Sequence, residues 1–263
     1  MRVAHVVWIW MENHSYDSVV GSRSAPYLNR LIRRCGLATH YTDIGHPSLP
    51  NYLAAVAGTT GGVNSDCDPT SCPQHGPSLF GQLDAAGRPW AGYAESMPAN
   101  CELASSGEYA ARHNPAVYFS GIRRSCRSRD VPFGSASSGA LARALSSGSL
   151  PAFSFVTPNL CHDTHDCSVH TGDRWLSQWV PRILRSPAYR KGSLVLFITW
   201  DEGEGSERIP LVVASPWTPA GRRVARAASH YALLKTTEQL LGLPLLGHAA
   251  DRGTASLRSA FRL

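Results

Sequence analysis

No apolar run in the 263 residues approaches the roughly 18 needed for a bilayer-spanning helix, so no integral membrane segment is expected. The start of the chain lacks the charged and apolar regions of an export leader. The seven cysteines contain no C-x-x-C pair, which argues against the common zinc frameworks. Neither G-x-S-x-G nor the P-loop pattern occurs, which removes the serine esterases of the α/β-hydrolase type and the P-loop nucleotide-binding proteins. Lysine is nearly missing: of 25 basic residues only Lys191 and Lys235 are not arginine. Internal repeats and long linkers are also absent, and residues 1–263 read as one domain. A composition with 43% hydrophobic and 17% charged residues excludes a disordered chain.

The arginine surplus gives a net charge of +6. A planar guanidinium suits phosphate, but a GC-rich genome produces the same bias, and that compositional reading is adopted here. No basic run interleaved with aromatics occurs, so nucleic acid is not an expected partner. The cysteines fall into near neighbours, 67/72, 101/126 and 161/167, each able to close a short loop. Three disulfides in an exported protein whose leader has been removed is the expectation, with secreted or extracytoplasmic location. Cys35 is left over, within the first helix, and reads as a buried, inert thiol.

Short β-rich apolar runs at Val3–Trp10 and Leu194–Trp200 suit strands buried on both faces. Weaker strands are expected at Trp90–Glu95, Ala152–Thr157 and Pro210–Ala214. Helical patterns alternate with them: Pro50–Ala57, a helix capped by Asp173 and kinked or split at Pro181, and Tyr231–Leu241 capped near Ser229 and closed by Gly242. This alternation predicts an α/β fold, a three-layer α/β/α sandwich with a mainly parallel central sheet. The Gly-, Ser-, Pro- and Cys-rich stretch at about 62–135 reads as loops and insertions elaborating one end.

In such sheets, sites form beyond the carboxyl ends of the strands. Both strong strands run straight into hard oxygen ligands, Glu12-Asn13 and Asp201-Glu202. Either pair alone suits a helix cap or a solvated loop. Together on one sheet edge they suit a divalent cation, with Ca²⁺, Mg²⁺ or Mn²⁺ favoured over Zn²⁺. Ser48 lies at the start of the Pro50 helix, either as its N-cap or as a nucleophile in the field of the helix N-terminus. Several histidines could protonate a leaving group: His165 in an Asp/His-rich loop with His162 and His170, His113, and His230. Asp66 reads as a turn residue.

Met11-Glu12-Asn13-His14-Ser15-Tyr16-Asp17, His46-Pro47-Ser48-Leu49-Pro50-Asn51-Tyr52 and Thr199-Trp200-Asp201-Glu202-Gly203 resemble segments of the bacterial phosphoesterase family of acid phosphatases and non-specific phospholipases C. Arg112-His113-Asn114-Pro115 and the stretch from Ser229-His230-Tyr231 to Glu238 resemble it too, and the small secreted acid phosphatases are the most similar branch. The resemblance implies an alkaline-phosphatase-like fold and one metal held by Glu12, Asn13, Ser48, Asp201 and Glu202, with Ser48 also the nucleophile. It implies His165, His113 and His230 as the histidines that contact phosphate or protonate the leaving group, and no role for His162 or His170. Asn51, Asn159 and His46 are the expected substrate-binding residues. The implied function is a metal-dependent phosphomonoesterase acting on small phosphomonoesters or phosphoinositides through a phosphoserine, and a monomer is expected. The alternatives are a phospholipase C-type phosphodiesterase acting on a phospholipid headgroup and, outside enzymes, an anionic-ligand binding protein.

Overall fold

The computed structural model describes residues 3–263. Ten strands form among them: β1 (His5–Met11), β2 (Gly36–Ala38), β3 (Tyr41–Thr42), β4 (Trp90–Ala94), β5 (Asp130–Pro132), β6 (Phe153–Thr157), β7 (Leu194–Trp200), β8 (Leu211–Ala214), β9 (Arg223–Val224) and β10 (Ala228–Ser229). Eight make one sheet in the order β5-β4-β6-β1-β7-β8-β2-β9, and β3 pairs with β10 apart from it. The pairing is parallel except where β8 meets β7 and β2. This is the mainly parallel α/β sandwich that the alternation of elements predicts.

β1 and β7 are neighbours at the centre, which explains their nearly unbroken apolar sequences: neither has a face turned to water. Trp8 and Trp10 pack against Phe153 and Phe155 of β6, with ring centroids 4.9 and 5.4 Å apart for Trp8–Phe153 and Trp10–Phe155. The register pairs Met11 with Trp200, so the two strands end at one level. The residues that follow, Glu12 and Asp201, therefore leave the sheet side by side.

The expected pairs Cys67–Cys72, Cys101–Cys126 and Cys161–Cys167 are disulfides, and Cys35 is free. Cys35 is buried as expected, but it lies between the Pro26–Ile32 helix and β2, not within a helix. Burial pushes its thiol up to about 11, which keeps it protonated and unreactive. The 62–135 stretch is more than loops: it supplies β4, β5 and a Leu79–Ala85 helix, and so builds one edge of the sheet.

Two readings around the long helix change. It spans Val169–Arg185 with Ser168 as its cap, and it continues through Pro181. Proline removes one N–H from the ladder, but Trp175, Leu176, Trp179, Val180 and Ile183 are buried on both sides of it and hold the helix together. Asp173 lies inside this helix, buried, and serves a different one. Its Oδ2 accepts from the Tyr27 N–H at 2.9 Å and its Oδ1 from the Leu28 N–H at 2.7 Å, at the start of the Pro26–Ile32 helix. Asp173→Ala leaves two N–H groups without an acceptor and is expected to lower stability by about 2–3 kcal/mol in denaturant unfolding. An unchanged midpoint would show that water replaces the carboxylate.

Candidate active site

Glu12 stands at the centre of the site, with no exposed surface. Its Oε1 accepts from the Tyr52 hydroxyl and its Oε2 from the Ser48 hydroxyl at 3.2 Å. Both donors lie on the fully buried Ser48–Ala57 helix, one turn apart, so a single face of that helix meets the strand end. Asp201 lies beside Glu12 and Ser48, close enough for its carboxylate to act on both. Asn13, with φ of 59°, takes up the left-handed conformation that asparagine tolerates, and its N–H donates to Asp201 Oδ1 at 3.1 Å.

His113 joins the cluster from a short turn at 111–113. Its Nδ1–H donates to Asp163 Oδ2 at 3.2 Å, which leaves Nε2 facing Glu12 Oε2 at 3.4 Å. The ring stacks on Tyr52 with 5° between the planes. Complete burial lowers the His113 pKa well below its usual value, and the imidazole is neutral. Burial raises Glu12, Asp163 and Asp201 above the ordinary carboxylate range, and neighbouring carboxylates add to the rise at Glu12 and Asp163.

The donor set fits a divalent cation. Asp201 Oδ2 is buried without any hydrogen-bond partner, and the lone pair of His113 Nε2 is likewise unsatisfied beside the Glu12 oxygen. Acceptors that converge without donors leave an uncompensated cost that a cation removes. Glu12, Asp201 and Ser48 are brought together as the resemblance implies. Glu12, His113 and His165 form a second grouping whose ligand atoms all lie within 4.8 Å of one another. Glu202 lies at the edge: His46 Nδ1 is 3.1 Å from its Oε1 and the Asn51 amide donates to its Oε2 at 3.3 Å.

Ser48 is the first residue of its helix rather than its cap; Pro47 holds the cap position and offers no side-chain acceptor. Asp66 takes over that task, and so is more than a turn residue: its Oδ1 accepts from the Leu49 N–H at 2.9 Å. Its Oδ2 is 3.7 Å from Arg112 Nε, and Arg112 Nη2 donates to His165 Nε2 at 3.1 Å. His165 is part-exposed, with Nδ1 donating to Asp166 Oδ1 at 2.7 Å. Arg112 and His165 thus flank the approach to the Ser48 end of the helix.

Three expected residues have other places. His230 is buried behind Asp201: its Nε2–H donates to the Asp201 carbonyl at 2.6 Å and its Nδ1 accepts from the Tyr41 hydroxyl at 2.9 Å. With both nitrogens engaged and burial lowering its pKa to about 4, it positions the Asp201 backbone and has no proton to give a leaving group. Asn51 binds its own loop, donating to the Gly45 carbonyl at 2.6 Å and accepting from the Ile44 N–H at 2.8 Å. Asn159 donates to Ser96 Oγ at 3.1 Å and accepts from the His162 N–H at 2.9 Å, so it organises the 159–165 loop. Tyr52, Asp163, Asp66 and Arg112 are the site residues that spacing missed. Three of them carried a signal: Arg112 directly before His113, Tyr52 at the end of the His46–Tyr52 motif and Asp163 in the Asp/His-rich loop.

A model of the Phosphoesterase family matches residues 22–244. The chain belongs to that family. Phosphatidylinositol-3-phosphatase of Mycobacterium tuberculosis is 35% identical over 254 residues, covering 94% of this chain and 80% of that protein. Phosphate-repressible acid phosphatase of Penicillium chrysogenum is 28% identical over 252 residues, and the match takes up 91% of this chain and 59% of the fungal one. Among solved structures, a protein in the alkaline phosphatase superfamily from Vibrio parahaemolyticus superposes with a TM-score of 0.65 at 12% identity, covering 95% of this chain and 70% of that one; the fold is what they share. The family member described here is a hydrolase of phosphate esters with a group of residues suited to a cation.

A carboxyl raised by burial holds its proton in the folded state to a higher pH than in the unfolded one. Its instability therefore grows as pH rises from the ordinary value toward the buried one; for Glu202 this is from 4.5 to about 7. Added Ca²⁺, Mg²⁺ or Mn²⁺ is expected to raise the thermal midpoint of chelator-treated protein, and by more at the upper end of that interval than at the lower, because protons compete for the same oxygens. Equal shifts at both ends, or none, would count against a cation at these carboxylates.

Proposed function

We propose that this phosphoesterase is a metal-dependent phosphomonoesterase that works through a phosphoserine at Ser48. The observation that carries the reading is the placement of Ser48 Oγ, at the N-terminus of a buried ten-residue helix and 3.2 Å from Glu12 in the carboxylate cluster. Helix N-termini favour phosphate through unpaired N–H groups and the aligned peptide dipoles. Glu12, Asp201 and Ser48 would hold the cation, with Asn13 and Glu202 completing the set that the family resemblance implies. When bound, the cation acts as a Lewis acid that neutralises charge on the phosphoryl oxygens and favours ionised Ser48.

The chain's own residues account for the remaining steps. Ser48 Oγ forms a bond to phosphorus as the bond to the ester oxygen breaks, and its proton has an acceptor in Glu12 Oε2. Arg112 contacts the phosphoryl oxygens as a planar donor. As Arg112 turns from His165 Nε2 to the phosphoryl oxygens, His165, held at Nδ1 by Asp166, takes up a proton from solvent at the freed Nε2 and gives it to the departing alcohol. Water then attacks phosphorus as His165 takes its proton, the Ser48 Oγ–phosphorus bond breaks, Ser48 Oγ regains its proton from Glu12 and inorganic phosphate leaves. His113 holds its tautomer through Asp163 and presents Nε2 to Glu12, so it positions the cluster. His46, on an exposed loop and paired with Glu202, is the remaining substrate-facing residue. The three disulfides support an extracytoplasmic site of action.

Ser48→Ala is expected to lower kcat for p-nitrophenyl phosphate by at least about 10³-fold while the thermal midpoint stays near that of the wild type. Wild-type turnover in that variant would overturn the nucleophile. Turnover restricted to a phosphodiester substrate would favour the phospholipase C-type reaction instead.

Arg112→Ala separates binding from chemistry. Its loss should raise KM by about tenfold or more, in line with one charge-assisted contact, whereas an unchanged KM would remove Arg112 from the phosphate.

A further inference from the structure

The net charge is not spread over the molecule. Residues 18–42 contain Arg23, Arg30, Arg33 and Arg34 and no Asp or Glu; residues 174–200 contain Arg174, Arg182, Arg185, Arg190 and Lys191 and again no acid. These nine leave 16 basic residues against 19 acids in the rest of the chain, so the positive charge resides in the two segments. All nine are exposed. The arginines that do pair with carboxylates, Arg112, Arg129 and Arg208, lie elsewhere. Codon usage accounts for arginine in place of lysine, but it does not clear acids from two separate segments.

The fold joins these segments. The Pro26–Ile32 helix packs on the Val169–Arg185 helix, and between them runs a groove of about 420 Å³. Arg30, Arg34 and Arg185 rim it, over an apolar floor that includes Leu31, Leu184 and Tyr189. Arg182 and Arg185 also complement the carbonyl end of their helix, a local reason that does not extend to the others.

A second observation falls at the same end. Trp217 is the one large apolar side chain exposed among the described residues, at 43%. Its Nε1–H donates to the Gly192 carbonyl at 2.9 Å, which holds the indole beside Arg190 and Lys191. β8 runs antiparallel to β7 with Ala214 opposite Leu196, so the chain leaving β8 reaches the end of the sheet where β7 begins. Gly36 pairs with Val213, which brings Arg33 and Arg34 to that end as well. Glu12 and Asp201 lie at the opposite end.

We propose that this basic face binds the surface of an anionic phospholipid bilayer. The arginines take lipid phosphates while Trp217 and the groove floor enter the interfacial layer, where an amphipathic indole is favoured. A nucleic acid would use the charge alone and would leave the apolar floor and Trp217 without a role. Bound this way the protein turns its catalytic end away from the bilayer. The membrane is then a point of attachment, and soluble esters still reach Ser48.

The test is sedimentation with vesicles of phosphatidylcholine, with and without phosphatidylglycerol. The protein should bind only the anionic vesicles, and less as salt rises. Arg30→Glu/Arg34→Glu/Arg185→Glu should lower partitioning on the order of 100-fold. Trp217→Ala should lower it by roughly tenfold. Hydrolysis of a soluble phosphomonoester, by free or vesicle-bound protein, should be unchanged in all variants, which also reports that they fold. Equal binding to neutral vesicles, binding unaffected by the substitutions, or salt-sensitive binding to duplex DNA without binding to vesicles would each overturn the proposal.

Discussion

Burying carboxylates side by side is the constraint on which the rest of the site depends. Parallel pairing of β1 with β7 in equal register delivers Glu12 and Asp201 to the same point, where neither has exposed surface. Two acids without water are costly unless donors or a cation reach them. The surrounding structure supplies donors from two directions, two hydroxyls from the Ser48–Ala57 helix and one N–H from Asn13, while His230 holds the Asp201 backbone in place. The supply stops short of complete, since Asp201 Oδ2 has no partner. That deficit lies at a strand end and beside the Ser48 hydroxyl, where a cation and a phosphate ester could meet.

The loops that carry the remaining groups are long and polar, and they are tied where the site needs them. Cys161–Cys167 brackets Asp163 and His165, and Cys67–Cys72 begins one residue after Asp66. Cys101–Cys126 lies beside the buried Asn114–Asp130 pair, directly after His113. Short disulfide loops restrict the backbone on either side of a functional side chain, which favours a preorganised site. The chain thus combines a rigid strand edge with loops fixed locally.

Much of this was legible from residue order, and the reason is local. A strand buried on both faces must be apolar along its length, so β1 and β7 were visible as runs, and their abrupt polar ends marked Glu12 and Asp201. Near-neighbour cysteines can meet only in short loops, which made their pairing readable. Misreadings share one cause. Asp173 looked like a cap for its own helix and caps another, 146 residues away in the chain. His230 looked like an acid for a leaving group and is held by Tyr41 and the Asp201 carbonyl. Asn51, Asn159 and Asp66 have polar groups whose partners sequence spacing does not reveal.

By itself, then, the sequence determined the class of fold, the strand ends that bear acids, the cysteine pairs and the family, because each is written in periodicity, in near-neighbour spacing or in contiguous motifs. Only tertiary structure decided which polar groups meet. It brought Tyr52, Asp163 and Arg112 to the site, set His230 against the Asp201 backbone, and gathered Arg30, Arg34 and Arg185 from two acid-free segments around one groove. Hydrogen bonds and charge contacts act over a few ångströms of space, whereas the residues that make them stand tens to hundreds of positions apart along the chain.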